Sequence, residues 1–442
     1  MRLLHPVLIF PEGCLSRYKD LIVSNSRLFR AATEFGLDRY IITKMYSVQK
    51  PVYVEDLVEI SPIDQMKKRR KLSTKTVADV VESLIGISYV DGGLDKALAC
   101  TSLLLPDKKM KWQSIDNCRR ILFNNAPDNM GIPLTMRRVE ELIGYTFKKK
   151  SLLVEALTHG SYNVPGVVAC LDRLEFLGDA VLDYVVVTAL FDTPGLKNSD
   201  MHLLKTALVN ADILGFLVME WVVEEERAEI EVLTAAGEPI VDEDTTEVRN
   251  KEGTQVRMKS VMVKHALWSF LRHLSPDMGV VQQATQKRHK MMRDEIIKML
   301  RTGSHYPWAL LAKLQVQKFY SDVFESILGA VWVDSGNMEE CKAIVRRAGI
   351  LPLMERLLAD RVHIVHPKEE LGRLAVSEKV EYVVEVQNEG DEAEKEIVCR
   401  VTVGGRCLAE VKGGTTREEA RTRAAEVACM VMKGTWVGDM ES

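Results

Sequence analysis

Paired cysteines are missing. The eight present, Cys14, Cys100, Cys118, Cys170, Cys341, Cys399, Cys407 and Cys429, contain no Cys-x-x-Cys. That excludes the common zinc-ribbon spacing and offers no disulfide framework, so reduced thiols of an intracellular protein, cytoplasmic or nuclear, are expected. Long apolar runs are missing too: none approaches the ~20 residues that cross a bilayer, and no membrane partner is expected. Met1–Phe10 is apolar, but His5 and Pro6 break it and only Arg2 precedes it, a poor signal peptide. A strong charge imbalance is also lacking, since a net charge of −4 over 442 residues does not announce a nucleic-acid binder. What is there is 46% apolar and 28% charged residues, the balance of a globular chain with real cores and room for several domains.

The charge is blocky. Lys67, Lys68, Arg69, Arg70 and Lys71 are consecutive, Lys148–Lys150 form a second run, and Lys287–Lys290, with His289 inside, a third; an acidic stretch from Glu224 to Glu252 offsets them. Each run reads either as a solvated face or as a polyanion contact.

An internal repeat organises the chain. TVADVVESLIGISYVDGG from Thr76 matches FYSDVFESILGAVWVDSG from Phe319. Asp79 pairs with Asp322, Glu82 with Glu325, Gly86 with Gly329, Asp91 with Asp334, Gly93 with Gly336 and Lys75 with Lys318, every pair 243 positions apart. A weaker match sets CLSRYKDLIVSNSRL from Cys14 against DMHLLKTALVNADIL from Asp200, with Val23 against Val209, 186 apart. The second copy is therefore longer by 57 residues (243 less 186). The excess, about residues 222–290, is expected to be a surface loop, partly disordered.

Apolar spacing predicts helices over Leu152–Leu157, Leu174–Leu190, Leu203–Val218, Val261–Leu274 and Tyr320–Val333. The tail differs. Val380–Gln387, Ile397–Val403 and Cys407–Lys412 alternate as strands, and Thr416–Met432 reads as a helix capped by Thr415 or Thr416. Pro106–Pro133 reads as a linker, with Pro127, Asp128, Asn129 and Gly131 as its turn residues.

Two acid pairs carry the chemistry. In DRLEFLGDAVLDY, from Asp172, Glu175 and Asp179 are i and i+4 on one face of an apolar helix; Asp322 and Glu325 are i and i+3 on another. Acids on buried faces repel and desolvate badly unless cations or donors balance them. The alternative is that each pair is solvated or salt-bridged. Four hard oxygen donors gathered from two such helices suit Mg²⁺ or Mn²⁺. Two such ions could activate water and stabilise the leaving oxygen of a phosphodiester. The spacing does not identify the substrate.

RLEFLGDAVLD (Arg173–Asp183), KFYSDVFESILGA (Lys318–Ala330) and ALTHGSY (Ala156–Tyr162) resemble the motifs of the ribonuclease III family. The tandem arrangement followed by a small α+β tail resembles the C-terminal part of Dicer-like proteins, and the long second insertion is similar to the fungal type. The resemblance covers nearly the whole chain. It implies a mainly α fold, with two all-helical ribonuclease III-type domains and an α-β-β-β-α double-stranded-RNA-binding domain. The expected limits are 1–105 for a first domain lacking its N-terminal part, 106–133 for a linker, 134–358 for a complete second domain and 364–436 for the tail. It implies Glu175, Asp179, Asp322 and Glu325 as metal-binding acids, with direct ligation expected first of Asp179 and Glu325. Lys318 would lie near the scissile phosphate. Asp172 falls where some relatives carry a further glutamate; Asp183 and His159 are expected to be structural. The implied activity is Mg²⁺- or Mn²⁺-dependent hydrolysis of duplex RNA by paired domains, within one chain or as a homodimer, in small-RNA production, RNA silencing and antiviral defence.

Two departures qualify it. The counterpart of Glu175 in the first copy would precede Met1, leaving Asp79, Glu82 and Lys75 as half a site; only the second site is then expected to cut, and the paired domains to nick, unless an upstream segment completes the first site or two complete second domains form a homodimer. In the tail, Arg417 and Arg421 remain as RNA-binding cations, but Glu418 stands where a lysine is usual, and Glu389, Asp391, Glu392 and Glu394 make the first strand loop acidic. Weak RNA binding, or a protein partner for this tail, is expected. A non-catalytic RNA-binding scaffold and a phosphohydrolase of small molecules are the competing readings.

Overall fold

The computed structural model describes residues 12–42, 72–106, 112–128, 131, 133, 136–164, 169–233, 255–376, 378–387 and 396–434. Met1–Phe10, the Lys67–Lys71 run and the acidic loop with Glu389, Asp391, Glu392 and Glu394 lie outside them. The chain divides into two units, Met1–Pro127 and Asp128–Ser442.

The first unit is helical: α1 (Glu12–Val23), α2 (Asn25–Glu34), α3 (Thr74–Leu104) and α4 (Ile115–Asn125). Its core joins Leu28, Ala31 and Ala32 of α2 to Val77, Ala78 and Val81 of α3. The Ser73 hydroxyl caps α3 by accepting from the Thr76 amide at 3.0 Å. Helix α4 corrects the linker expectation: Ser114 caps it, so part of the 106–133 segment is ordered helix.

The second unit begins with α5 (Arg137–Ile143), α6 (Lys150–Ala156), α7 (Asp172–Phe191), α8 (Asn198–Leu208) and α9 (Ala211–Glu220). The helix predicted over 203–218 is thus two. Asn210 breaks it, its side chain accepting from the Ile213 amide at 3.0 Å as an N-cap. The weak repeat survives there, because α1 ends at Val23 and α2 follows Ser24 just as α8 and α9 flank Val209 and Asn210.

Strands β1 (Val222–Leu233) and β2 (Gln255–Ala266) then form an antiparallel hairpin. This corrects two expectations: the described part of the 222–290 insertion is not loop, and the helix placed over 261–274 is strand and a short 3₁₀ turn, Leu267–Phe270. The second domain is therefore not all-helical. Val263, Leu267, Phe270 and Leu274 mimic a helical stripe, but pairing of residues 255–266 with β1 decides the matter. Next come α10 (Pro276–Thr302), α11 (Trp308–Leu314), α12 (Lys318–Ser335), α13 (Met338–Arg347) and α14 (Ile350–Ala359). The first unit repeats the α12–α13 join inside α3, which kinks at Gly92 and Gly93. Gly93 (φ 70°) and Gly336 (φ 67°) share the left-handed region that glycine adopts without strain.

The tail is α15 (Pro367–Leu374), β3 (Val380–Gln387), β4 (Glu396–Val403), β5 (Arg406–Gly414) and α16 (Arg417–Met432), with sheet order β3-β4-β5. Buried Ala420, Ala424, Ala425 and Ala428 let α16 lie close to the sheet, over Cys399 and Val401. Thr416 caps α16 through the Glu419 amide at 3.1 Å. Besides the polypeptide itself, hydrogen bonds tie the segment leading into the tail to the nuclease domain. The His363 amide donates to the Ser304 carbonyl at 2.8 Å, and the Trp308 indole to the Ile364 carbonyl at 3.1 Å.

Candidate metal centre

Helices α7 and α12 cross at paired glycines. A Cβ on Gly178 would stand 1.7 Å from the Glu325 carbonyl oxygen, and one on Gly329 would stand 2.1 Å from that of Leu174. Only bare backbone allows this approach. Around the crossing Leu174, Val181 and Leu182 bury against α12, whose Val323, Phe324, Ile327 and Leu328 are closed from solvent. Glu175 and Asp179 of α7, flanking Gly178, and Asp322 and Glu325 of α12, in the two turns before Gly329, are thereby brought together.

Carboxylate oxygens of Glu175, Asp322 and Glu325 all lie within 4.8 Å of one another, the one group of this kind among the described residues. Glu175 is 7% exposed. Asp179 stands one turn on, on the exposed side of α7, and reaches the group through its charge. Burial, then the charges of Asp179, Asp322 and Glu175, push the Glu325 carboxyl up to about 9. Burial also raises Asp322, with the Lys318 ammonium pulling the other way. Lys318 contacts Glu175 and donates to Asp322 Oδ1 at 2.8 Å. Those two carboxylates outweigh its own desolvation and hold its pKa above the usual lysine value. Lys318 thus offsets part of the negative charge that Glu175 and Asp322 bring to the cluster.

Residues the sequence reading passed over brace this centre. Arg173, at the start of α7, forms a two-pronged ion pair with buried Glu155 of α6, Nη2 to Oε2 at 2.6 Å. Ser326, next to Glu325, donates its hydroxyl to the Ala156 carbonyl at 2.7 Å. The C-terminal end of α6 thus holds both acid-bearing helices. A lone acid inside the apolar run LLVEAL was the available signal. Asp334, 1% exposed, accepts from the Tyr145 hydroxyl at 2.6 Å and from the Lys148 and Lys149 amides at 2.8 and 2.9 Å. The Lys148–Lys150 run is consequently structural in part: Lys149 pairs with Asp128 and Lys150 with Glu140.

Asp183 pairs with Lys205 at 2.7 Å, a structural role. His159 Nδ1 closes a turn with the Ser161 hydroxyl at 2.9 Å, also structural. Asp172 is half-buried at the start of α7 beside Cys170. Lys75, Asp79 and Glu82 are exposed on α3, with no metal-type acid group around them among the described residues. Arg417 is exposed, whereas Arg421 is half-buried, with its charge acting on Tyr382 and Cys399. Glu418 contacts Lys368.

An acid centre on a glycine crossing of two helices, the second of them repeated in the first unit, is the class of site a metal-dependent hydrolase uses, and comparison gives the family. The ribonuclease III domain profile matches residues 2–93 and 172–336, together more than half of the chain. The chain belongs to the ribonuclease III family. Residues 360–442 match the profile described as Dicer-like protein 2, dsRNA binding domain. Among curated relatives, Dicer-like protein 2 of Cryphonectria parasitica is 47% identical over 96% of this chain and 29% of its own length. That of Pyricularia oryzae is 46% identical over 94% and 28%, and that of Neurospora crassa 39% over 96% and 30%. The chain thus spans under a third of the relatives it matches. A solved nuclease domain of ribonuclease III from Campylobacter jejuni is 22% identical, covering 50% of this chain and 96% of its own, with a TM-score of 0.28.

Proposed function

We propose that this chain is a metal-dependent endoribonuclease that hydrolyses phosphodiester bonds of duplex RNA at one cutting centre, formed by Glu175, Asp179, Asp322 and Glu325. The observation that carries this is the three-carboxylate group on the Gly178–Gly329 crossing. Its donors are all hard oxygens, buried or half-buried and close together, which fits Mg²⁺ or Mn²⁺. Glu175, Asp322 and Glu325 would hold the ion, with Asp179 at the rim; when bound, it supplies activation of water and charge neutralisation at phosphorus. Lys318 has a side chain 66% exposed while anchored to two of the acids, so its ammonium can meet a phosphate oxygen at the mouth. The brace from Glu155 and Ala156 keeps the acids in register.

Likeness to Dicer-like protein 2 relatives supports a part in small-RNA production, RNA silencing and antiviral defence, inside the cell. Val187 and Phe191, 39% and 58% exposed on the outer face of α7, support pairing with a second copy of the chain. The test is cleavage of a long duplex with and without Mg²⁺, for wild type, Asp179→Asn and Glu325→Gln. Wild type should cut and both variants should not. Cleavage untouched by both changes removes this centre as the catalyst, and products cut in both strands by a monomer remove the single-centre reading.

A further inference from the structure

Helix α10 is bound to the nuclease core on one side and strongly cationic on the other. Thr285, His289, Ile296 and Leu300 are its buried residues, all on one stripe at helical spacing. Lys287, Lys290, Lys298 and Arg301 are exposed on the opposite stripe. At ~1.5 Å per residue the four span about 21 Å. Asp294 shares that stripe, but its carboxylate takes the Arg293 guanidinium at 3.1 Å, and Arg293 also binds Glu220 at 2.8 Å. Among the described residues no carboxylate pairs with any of the four cations. Like charges three and four residues apart weaken a helix slightly, so the stripe does not serve the fold.

The buried side fixes where the stripe points. His289 meets Glu220 at 2.7 Å, and Arg288 Nε donates to the Leu314 carbonyl at 2.9 Å. Leu314 ends α11, four residues before Lys318 opens the acidic helix. The stripe is therefore rigidly tied to the segment that enters the metal centre, within one unit.

The geometry points to the outer face of α10 as a binding site for the phosphate backbone of duplex RNA; the inference rests on the function proposed above. Charge complementarity selects the occupant. The chain as a whole is acidic, at −4, yet this face gathers four cations with no ion-pair partner among the described residues, against two exposed acids, Asp294 and Glu295. The tail, where a ribonuclease of this family would be expected to hold phosphates, has Glu418 in contact with Lys368 and Arg421 turned partly inward. A bilayer surface is the poorer fit, because a membrane helix needs a broad apolar face and the main apolar stripe of α10 is already buried, leaving only Val280 and Met291 as large exposed apolar side chains of this helix.

The test uses the full 442-residue chain. A quadruple variant carries Lys287→Gln, Lys290→Gln, Lys298→Gln and Arg301→Gln; glutamine keeps helix propensity and most of the stem. A charge-preserving control carries Lys287→Arg, Lys290→Arg and Lys298→Arg. Binding of a short blunt duplex RNA is followed by fluorescence anisotropy in EDTA, from about 50 to 200 mM KCl. Each phosphate left without its cation flattens the slope of log K against log salt by ~0.9, so four give about 3.6. The wild-type advantage should then shrink about 150-fold across that range, and the control should follow wild type. A slope change under about 1, or a control that weakens as much as the glutamine variant, overturns the proposal. So does wild type that binds no duplex, or an unchanged RNA slope with abolished binding to phosphatidylserine vesicles. Normal binding without Mg²⁺-dependent cleavage sinks the catalytic reading alone; cleavage with equal slopes sinks only the stripe.

Discussion

Glu325→Gln should stabilise the metal-free protein while abolishing cleavage. The Glu325 carboxyl rises from an ordinary 4.5 to about 9, burial being the larger cause and the neighbouring carboxylates the next. The sign follows from linkage. A carboxyl with a raised folded pKa takes up a proton on folding wherever the unfolded chain has lost it. Its cost is absent below the unfolded pKa, grows as pH rises, and levels off above the folded pKa. At about pH 7 the cost approaches 2.5 pKa units at ~1.4 kcal/mol each, or about 3 kcal/mol; at about pH 5 it is under about 1. Glutamine keeps the shape and escapes the titration. In EDTA the variant should therefore melt several degrees above wild type at about pH 7, at ~2–4 °C per kcal/mol, with most of the gap gone at about pH 5. Mg²⁺ should narrow the gap from the other side, by stabilising wild type and not the variant. The assay is calorimetry of the nuclease transition in EDTA and in Mg²⁺ at both pH values. A variant less stable than wild type in EDTA at neutral pH, or a gap indifferent to acid, would refute the reasoning that these acids are held together against their own repulsion.

Three further outcomes follow from the repeat and the brace. Gly178→Ala should destabilise by about 3 kcal/mol or more and abolish Mg²⁺-dependent cutting, since its methyl meets the Glu325 carbonyl. The repeat-related crossing position gives the contrast: Gly86 has nothing within 4 Å of an added Cβ, so Gly86→Ala should be neutral or stabilise by up to ~1 kcal/mol in denaturant melts. Asp334→Asn should cost about 2–3 kcal/mol by weakening three buried hydrogen bonds, while Asp91→Asn, on an exposed pair with Lys96, should cost under about 1. Glu155→Gln should leave Arg173 without its charge partner and raise the Mg²⁺ concentration at half-maximal cleavage more than it lowers the maximal rate; an unchanged Mg²⁺ dependence would count against the brace.

Much of the centre was legible because both acid pairs sit on strongly periodic helices, where i, i+3 and i, i+4 fix the face whatever the context. The repeat was legible because its glycines and acids recur at one fixed offset, and Gly93 and Gly336 both take the positive φ that favours glycine. The hairpin was not. Its strands gain their register only by pairing across residues 234–254, a non-local choice that a window of apolar spacing cannot see. Nor was the break at Asn210 seen, since apolar periodicity runs through a cap undisturbed. The burial of Arg421 was not legible either: its half-buried side chain acts on Tyr382 and Cys399 of the sheet beneath α16, a tertiary environment that helical spacing does not encode.

The repeat also separates what folding requires from what the centre requires. Asp79 and Glu82 occupy the same helical spacing as Asp322 and Glu325, on a helix that likewise buries Val77, Ala78 and Val81 behind it. In the first unit the two acids are exposed, whereas α7 covers their counterparts and drives Glu325 upward. Identical acids at identical spacing thus differ in chemistry because of one covering helix. That helix can approach only where Gly178 meets the backbone of α12 and Gly329 the backbone of α7. The acid cluster of the second unit is therefore a property of the helix crossing rather than of the acidic motif alone.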